Sequence, residues 1–230
     1  MQGLGLSIIL TIASVALGMI FGAVLAFFKL SKSRILKVIA NIYITIIRCT
    51  PPIIVLFLVF YGLPLLVQAV FGLDINKMER AIYVVIAMTL MSAASFAETF
   101  RAAYEGVPKG QYEAALCFGL SKWQAFRRII LPQLIVIALP NIGNSVIGIF
   151  KEGALAFTIG VFDLMGRANF IVTKNMGAYA RELYIGVALI YWIIVIVMER
   201  GQRILSKRLG RFRESTAEKA SVSRKKIKHV

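Results

Sequence analysis

Five long apolar runs separated by polar stretches set the pattern of this chain. No charged residue occurs from Met1 to Phe28, Cys49 to Leu73, Ala81 to Ala97, Ile129 to Phe150 or Leu183 to Met198. A helix needs about 20 apolar residues to cross a bilayer. The runs therefore predict spanning helices at about 3–28, 51–70, 81–101, 132–152 and 183–198. The last is short, but Glu199 and Arg200 can snorkel at its end. The first lacks a basic leader and exceeds the apolar core of a signal peptide, so it reads as an uncleaved span. Within it, Gly18 and Gly22 form a G-x-x-x-G that allows close helix packing.

The segments between the runs have their own periodicity. Arg34, Lys37, Asn41, Thr45 and Arg48 fall on one stripe of a helix over 33–48. That pattern predicts an amphipathic helix on the cytoplasmic interface, which spares Arg48 the cost of burial in the bilayer. Thr50 then suits an N-cap and Pro51 a first helical position. Pro64 interrupts the second span and predicts a kink.

Residues 102–131 predict a helix–turn–helix. A short helix from Gln111 to Phe118 meets Gly119, suited to positive φ. Ser121 with Gln124 makes a capping box for a second helix, which Pro132 stops. Residues 153–182 hold two short apolar runs and predict a hairpin or re-entrant segment. After Leu209 the chain is polar and basic, which predicts a disordered tail near anionic headgroups.

Composition supports the membrane reading. Of 230 residues, 59% are hydrophobic, against roughly 45–50% in soluble domains. The net charge is +16, and its distribution orients the chain. Lys and Arg crowd the connections after the first and third spans and the tail, the sides expected to face the cytoplasm. The N-terminus is then outside and the C-terminus inside. This alternation accounts for the basic charge without nucleic acid. The two cysteines, Cys49 and Cys117, imply no disulfide framework. His229 alone builds neither a metal site nor a catalytic triad. No P-loop sequence is present, so the chain has no such site for ATP. No catalytic residue, metal or cofactor is expected.

The connection after the third span reads Glu113-Ala114-Ala115, three residues, Gly119, nine residues, then Ile129-Ile130-Leu131-Pro132. This resembles the E-A-A loop of the membrane subunits of bacterial ABC importers. Val107 to Gln111, Leu120 to Gln124, Arg48 to Pro51 and Ala97 to Arg101 resemble the polar amino-acid branch. The resemblance runs from about residue 3 to 205. The chain departs from that branch at Cys49, where Gly is usual, and at 152–154, where Asp-Thr-Ser is frequent.

The resemblance implies an all-α membrane protein of the ABC type I importer permease fold in a bacterial inner membrane. The transmembrane domain would cover 1–205 and a basic cytoplasmic tail 206–230. It implies a second permease copy or homologue, an ABC ATPase subunit, an extracytoplasmic solute-binding protein and an amino-acid substrate. Contact with the ATPase would fall on Glu113, Ala114, Ala115, Gly119, Trp123, Phe126, Leu131 and Pro132.

Ionisable or amide groups in a span are candidates for the pathway. Glu98, Asn144, Lys151 and Glu152 qualify. Lys151 and Glu152 together could meet both charges of an amino acid. Glu98 could instead pair with Arg101 at i,i+3. The alternative function is an ion-coupled carrier, which would often show internal repeats and a coupling-ion site. Overall similarity leans towards cystine or another sulfur amino acid.

Overall fold

The computed structural model describes the backbone of residues 2–227 and the side chains of residues 3–209; His229 lies outside the described residues. The apolar runs become helices. α1 (Gln2–Leu30) ends beside a short connection to α2 (Arg34–Cys49). The second span is assembled from α3 (Pro52–Phe57), a π-helical turn (Leu58–Gly62) and α4 (Leu63–Phe71). α5 (Arg80–Glu105) is the third span. The helix–turn–helix consists of α6 (Lys109–Cys117) and α7 (Lys122–Ala125). A second π-helical turn (Phe126–Ile130) joins α7 to α8 (Leu131–Glu152). A 3-10 segment (Gly153–Ile159) leads to α9 (Leu164–Lys174), and α10 (Ala180–Ile227) closes the order. No strand occurs among the described residues. Five helical segments are long and apolar enough to cross a membrane.

α5 is the axis of the fold. Its Tyr83, Val84, Ala87, Met88 and Phe96 are almost wholly buried among Leu10, Leu56, Val59 and Ile149. α1 packs along α5 because Gly18 and Gly22 leave room for it. A methyl group on Gly18 would collide with the side chain of Ser92, and one on Gly22 would stand 2.7 Å from Cβ of Phe96. Ser92 donates from Oγ to the carbonyl of Ser14, 3.1 Å away. Close approach thus adds a hydrogen bond to dispersion contact, which is what drives helix association in lipid.

Prolines shape the ladder in both places where a π-turn appears. A proline lacks the N–H that would close its turn, and its ring crowds the carbonyl four residues back. Pro64 and Pro132 each stand two residues beyond a π-turn. The widened turn absorbs that crowding, so Pro132 does not stop the preceding helix. α7 and α8 are instead one continuous helical rod from Lys122 to Glu152. Thr50 also differs from its predicted role. It closes α2, donating from Oγ1 to the carbonyl of Ile46 at 2.7 Å, while Pro51 precedes the next helix. Thr50 and Pro51 each precede a proline and are held extended, as that position requires.

α2 forms where expected, but it does not lie wholly on the interface. Ala40 and Ile44 are buried, with Ile44 against Ala94 and Ala97 of α5. Tyr43 donates from its hydroxyl to the carbonyl of Leu90 at 2.9 Å. These contacts carry the last turn of α2 beside Met91 and Ser95, halfway along α5.

At the opposite end, Asp163 caps α9, accepting from the backbone N–H of Gly166 at 2.8 Å. Ser7 of α1 donates to the same carboxylate and accepts from the N–H of Leu164. Residues 153–174 therefore fold back onto the start of α1 as a helical hairpin. Past Leu209, where the polar composition predicts disorder, helical backbone continues to Ile227. Alanine, glutamate, lysine and arginine there are good helix formers, and no proline interrupts them.

Candidate functional site

Two polar stripes face each other across the interior. On α5 the stripe is Met91, Ser95, Glu98 and Ala102; on α8 it is Asn141, Asn144, Ser145, Gly148 and Glu152. Steps of three and four residues put each set on one face of its helix. Arg48, at the end of α2, stands between them. Two adjoining cavities of about 250 and 400 Å³ share Arg48, Ser95 and Ser145 and form one groove.

The charges in this groove are of two kinds. Glu98 is committed: it bonds to Lys29 of α1 and accepts from Arg101 Nε at 2.8 Å. Arg101 also reaches Glu105 at 2.5 Å. The i,i+3 pairing with Arg101 is therefore present, and Lys29 joins it from another helix. Arg48 and Glu152 are uncommitted. Among the described residues neither has an ion-pair partner, yet they line the same cavity.

The predicted pathway residues separate accordingly. Glu98, Asn144 and Glu152 meet in the groove, whereas Lys151 is exposed and lies outside its walls. Adjacent residues on a helix point about 100° apart, so Lys151 and Glu152 do not face one ligand together. Asn144 also accepts from Gln202 of α10 at 3.2 Å, and the same amide donates to the carbonyl of Pro140 at 2.6 Å. The contribution of Arg48 was legible only as a stripe position; its depth depends on packing between α2 and α5.

The helix–turn–helix has the caps its sequence predicts. Gly119 has φ +79°. The N–H groups of Gly119 and Leu120 return to the carbonyls of Leu116 and Ala115 at 3.0 and 3.2 Å, a Schellman closure. Ser121 and Gln124 complete the capping box in both directions. Glu113 and Ala114 are exposed and Ala115 is buried. Trp123 and Phe126 stack with ring centres 6.0 Å apart and turn towards α1, α5 and α8. Phe118, which the sequence pattern did not single out, is 88% exposed beside the Gly119 stop.

A five-span helical scaffold, an internal polar groove and a stiff external loop define a membrane permease. Residues 14–211 match the family of binding-protein-dependent transport system inner membrane components, and the chain belongs to that family. It is 40% identical over 196 residues to the L-cystine transport system permease protein TcyL of Bacillus subtilis, covering 85% of this chain and 81% of that one. It is 37% identical over 168 residues to the histidine/lysine/arginine/ornithine transport system permease protein HisQ of Salmonella typhimurium, covering 72% and 74%. Its fold is similar to that of an amino acid ABC transporter crystallised with histidines, with TM-score 0.78, 31% identity and coverage of 90% and 92%. The inward-facing MetNI methionine ABC transporter shares the fold at TM-score 0.72 and 17% identity. Membership of this family displaces the ion-coupled alternative.

Proposed function

We propose that this permease carries a zwitterionic amino acid inward through the groove, driven by a separate ABC ATPase. The observation that carries the reading is the pair of uncommitted opposite charges on one cavity. Arg48 offers a planar donor fork to the substrate carboxylate, and Glu152 accepts from its ammonium group. Ser95, Asn144 and Ser145 supply neutral hydrogen-bonding groups between them. Cystine is the favoured substrate: two relatives are named L-cystine permeases.

The working assembly pairs this chain with a second copy or homologue. A solute-binding protein docks outside and an ATPase beneath the α6–α7 loop. The N-terminus lies outside and the C-terminus in the cytoplasm, with residues 206–230 a basic tail apart from the transport domain. Glu113, Ala114, Ala115 and Gly119 form the contact with the ATPase, with Phe118 inserted as the apolar anchor. Trp123, Phe126, Leu131 and Pro132 brace the loop against the spans.

The test is uptake into proteoliposomes holding this chain, its ATPase and its binding protein, against a panel of amino acids. ATP-dependent uptake of cystine, lost in Glu113→Arg along with assembly of the complex, supports the reading. Uptake that persists without ATP overturns it.

A further inference from the structure

On the face of α5 turned away from the groove lies another cavity, of about 660 Å³. Phe100 and Tyr104 of α5 face it, two positions from Glu98 and Ala102 and so about 200° round the helix. Phe27 and Leu30 of α1, Trp123 and Phe126 of the loop, and Leu134 of α8 complete most of its wall. This lining is mostly carbon, its polar atoms coming from Ser31, Tyr104 and Trp123, which suits an apolar occupant better than water.

The residues that follow this lining in the chain have the opposite character. Lys32 and Arg34 follow Ser31, which lines the slot, and Arg127 follows Phe126, which also lines it. All three cations are exposed, and among the described residues none is in an ion pair. A second copy of this chain would bring its own basic loop and its own net charge of +16 against these cations. An anion with an apolar tail fits both parts.

We infer that the slot binds an anionic phospholipid of the leaflet on the loop side. One acyl chain occupies the cavity, and the headgroup phosphate lies among Lys32, Arg34 and Arg127. The Trp123 ring, with its apolar body and polar N–H, stands at the boundary between tail and headgroup. The lipid would fill the space between the loop and α1 that protein atoms leave open, holding the loop against the spans. This site is independent of the substrate.

The probe is phosphatidylglycerol against phosphatidylcholine of the same chains, with the full chain and its ATPase in nanodiscs holding equal amounts of both. Native mass spectrometry should find phosphatidylglycerol retained over phosphatidylcholine by at least about fivefold, the effect of one engaged cation. The triple variant Lys32→Gln, Arg34→Gln and Arg127→Gln should bring the ratio towards one while a lipid is still retained. Ala23→Phe, which fills the slot from an exposed position on α1, should lower retention of both lipids. Lys225→Gln with Lys226→Gln, far along the tail, should change nothing.

A reading that needs no loop variant uses Trp192→Phe, which leaves Trp123 as the one tryptophan. Phosphatidylglycerol brominated on its chains should quench its fluorescence more than the phosphatidylcholine equivalent does. Equal retention of the two lipids by the unaltered protein overturns the proposal. So does a preference that follows the tail variant, or a Trp123 that bromine cannot reach because a protein subunit covers it.

Discussion

Lys29, in the last turn of α1, is bonded to the carboxylate of Glu98 on α5. The two residues are 69 positions apart and join helices that also meet through apolar contacts and the Ser92–Ser14 hydrogen bond. Both side chains are largely enclosed, at 14% and 21% exposure. In such a setting the loss of one partner matters more than the worth of the pair.

Glu98→Gln should therefore destabilise the chain more than Lys29→Met does. The first leaves Lys29 without its anion and Arg101 with Glu105 alone, whereas the second leaves Glu98 still held by Arg101. We expect about 1–2 kcal/mol for Lys29→Met and about 2–4 kcal/mol for Glu98→Gln, below the range for fully buried pairs because some solvent remains. The double variant should cost less than the sum, as for any directly coupled pair. Thermal unfolding in a mild detergent measures all three.

Gly22→Ala should destabilise the α1–α5 pair by about 1–3 kcal/mol, because its methyl group meets Cβ of Phe96 and the carbonyl of Ala93. Gly5→Ala meets nothing within 4 Å and should be neutral or slightly stabilising, since alanine is the better helix former. The same unfolding measurement separates them. A cost for Gly5→Ala as large as that for Gly22→Ala would show that helix propensity, not packing, was being read.

Arg48→Gln and Glu152→Gln should each raise the KM for uptake by about 10- to 100-fold, the loss of one hydrogen bond to a charged group. Lys151→Gln should leave uptake near the unaltered level, since that side chain is outside the groove. ATP-driven uptake in proteoliposomes decides the point. Sensitivity at Lys151 with indifference at Arg48 would remove the groove as the substrate path.

Phe118→Ala should weaken binding of the ATPase subunit by about 30-fold or more, the effect of truncating an anchor residue at an interface. The fold should not suffer, because the ring touches little of its own chain. Trp123→Ala should weaken binding less and lower thermal stability, because that ring stacks on Phe126 and faces the spans. Pull-down of the complex, paired with unfolding of the permease alone, tells the two apart.

The legibility of these features in the sequence follows the range of the physics behind them. The spans, the Gly18–Gly22 contact, the Gly119 stop and the Ser121–Gln124 box depend on residues within a few turns of one another, and periodicity exposes them. The continuity of α7 with α8 was hidden because a proline usually ends a helix. Whether a widened turn rescues it depends on the tertiary setting. The depth of Arg48 was hidden for a similar reason. Its stripe position fits an interfacial helix equally well until Ile44 and Tyr43 find α5. The Asn141–Glu152 stripe, by contrast, lies at helical spacing in a single run. It could have been read directly as the wall of a polar groove.

The unbroken helix from Lys122 to Glu152 sets the mechanical character of the molecule. α8 alone is 22 residues long, about 33 Å at the usual rise. One end is at the α6–α7 loop and the other at the groove. A displacement of the loop would then reach Glu152 as motion of a lever and not as a relay of separate rearrangements. What slack exists is confined to the five residues of the π-turn and to the proline at 140. Stiffening or loosening those two joints would set how much of the loop's motion reaches the groove.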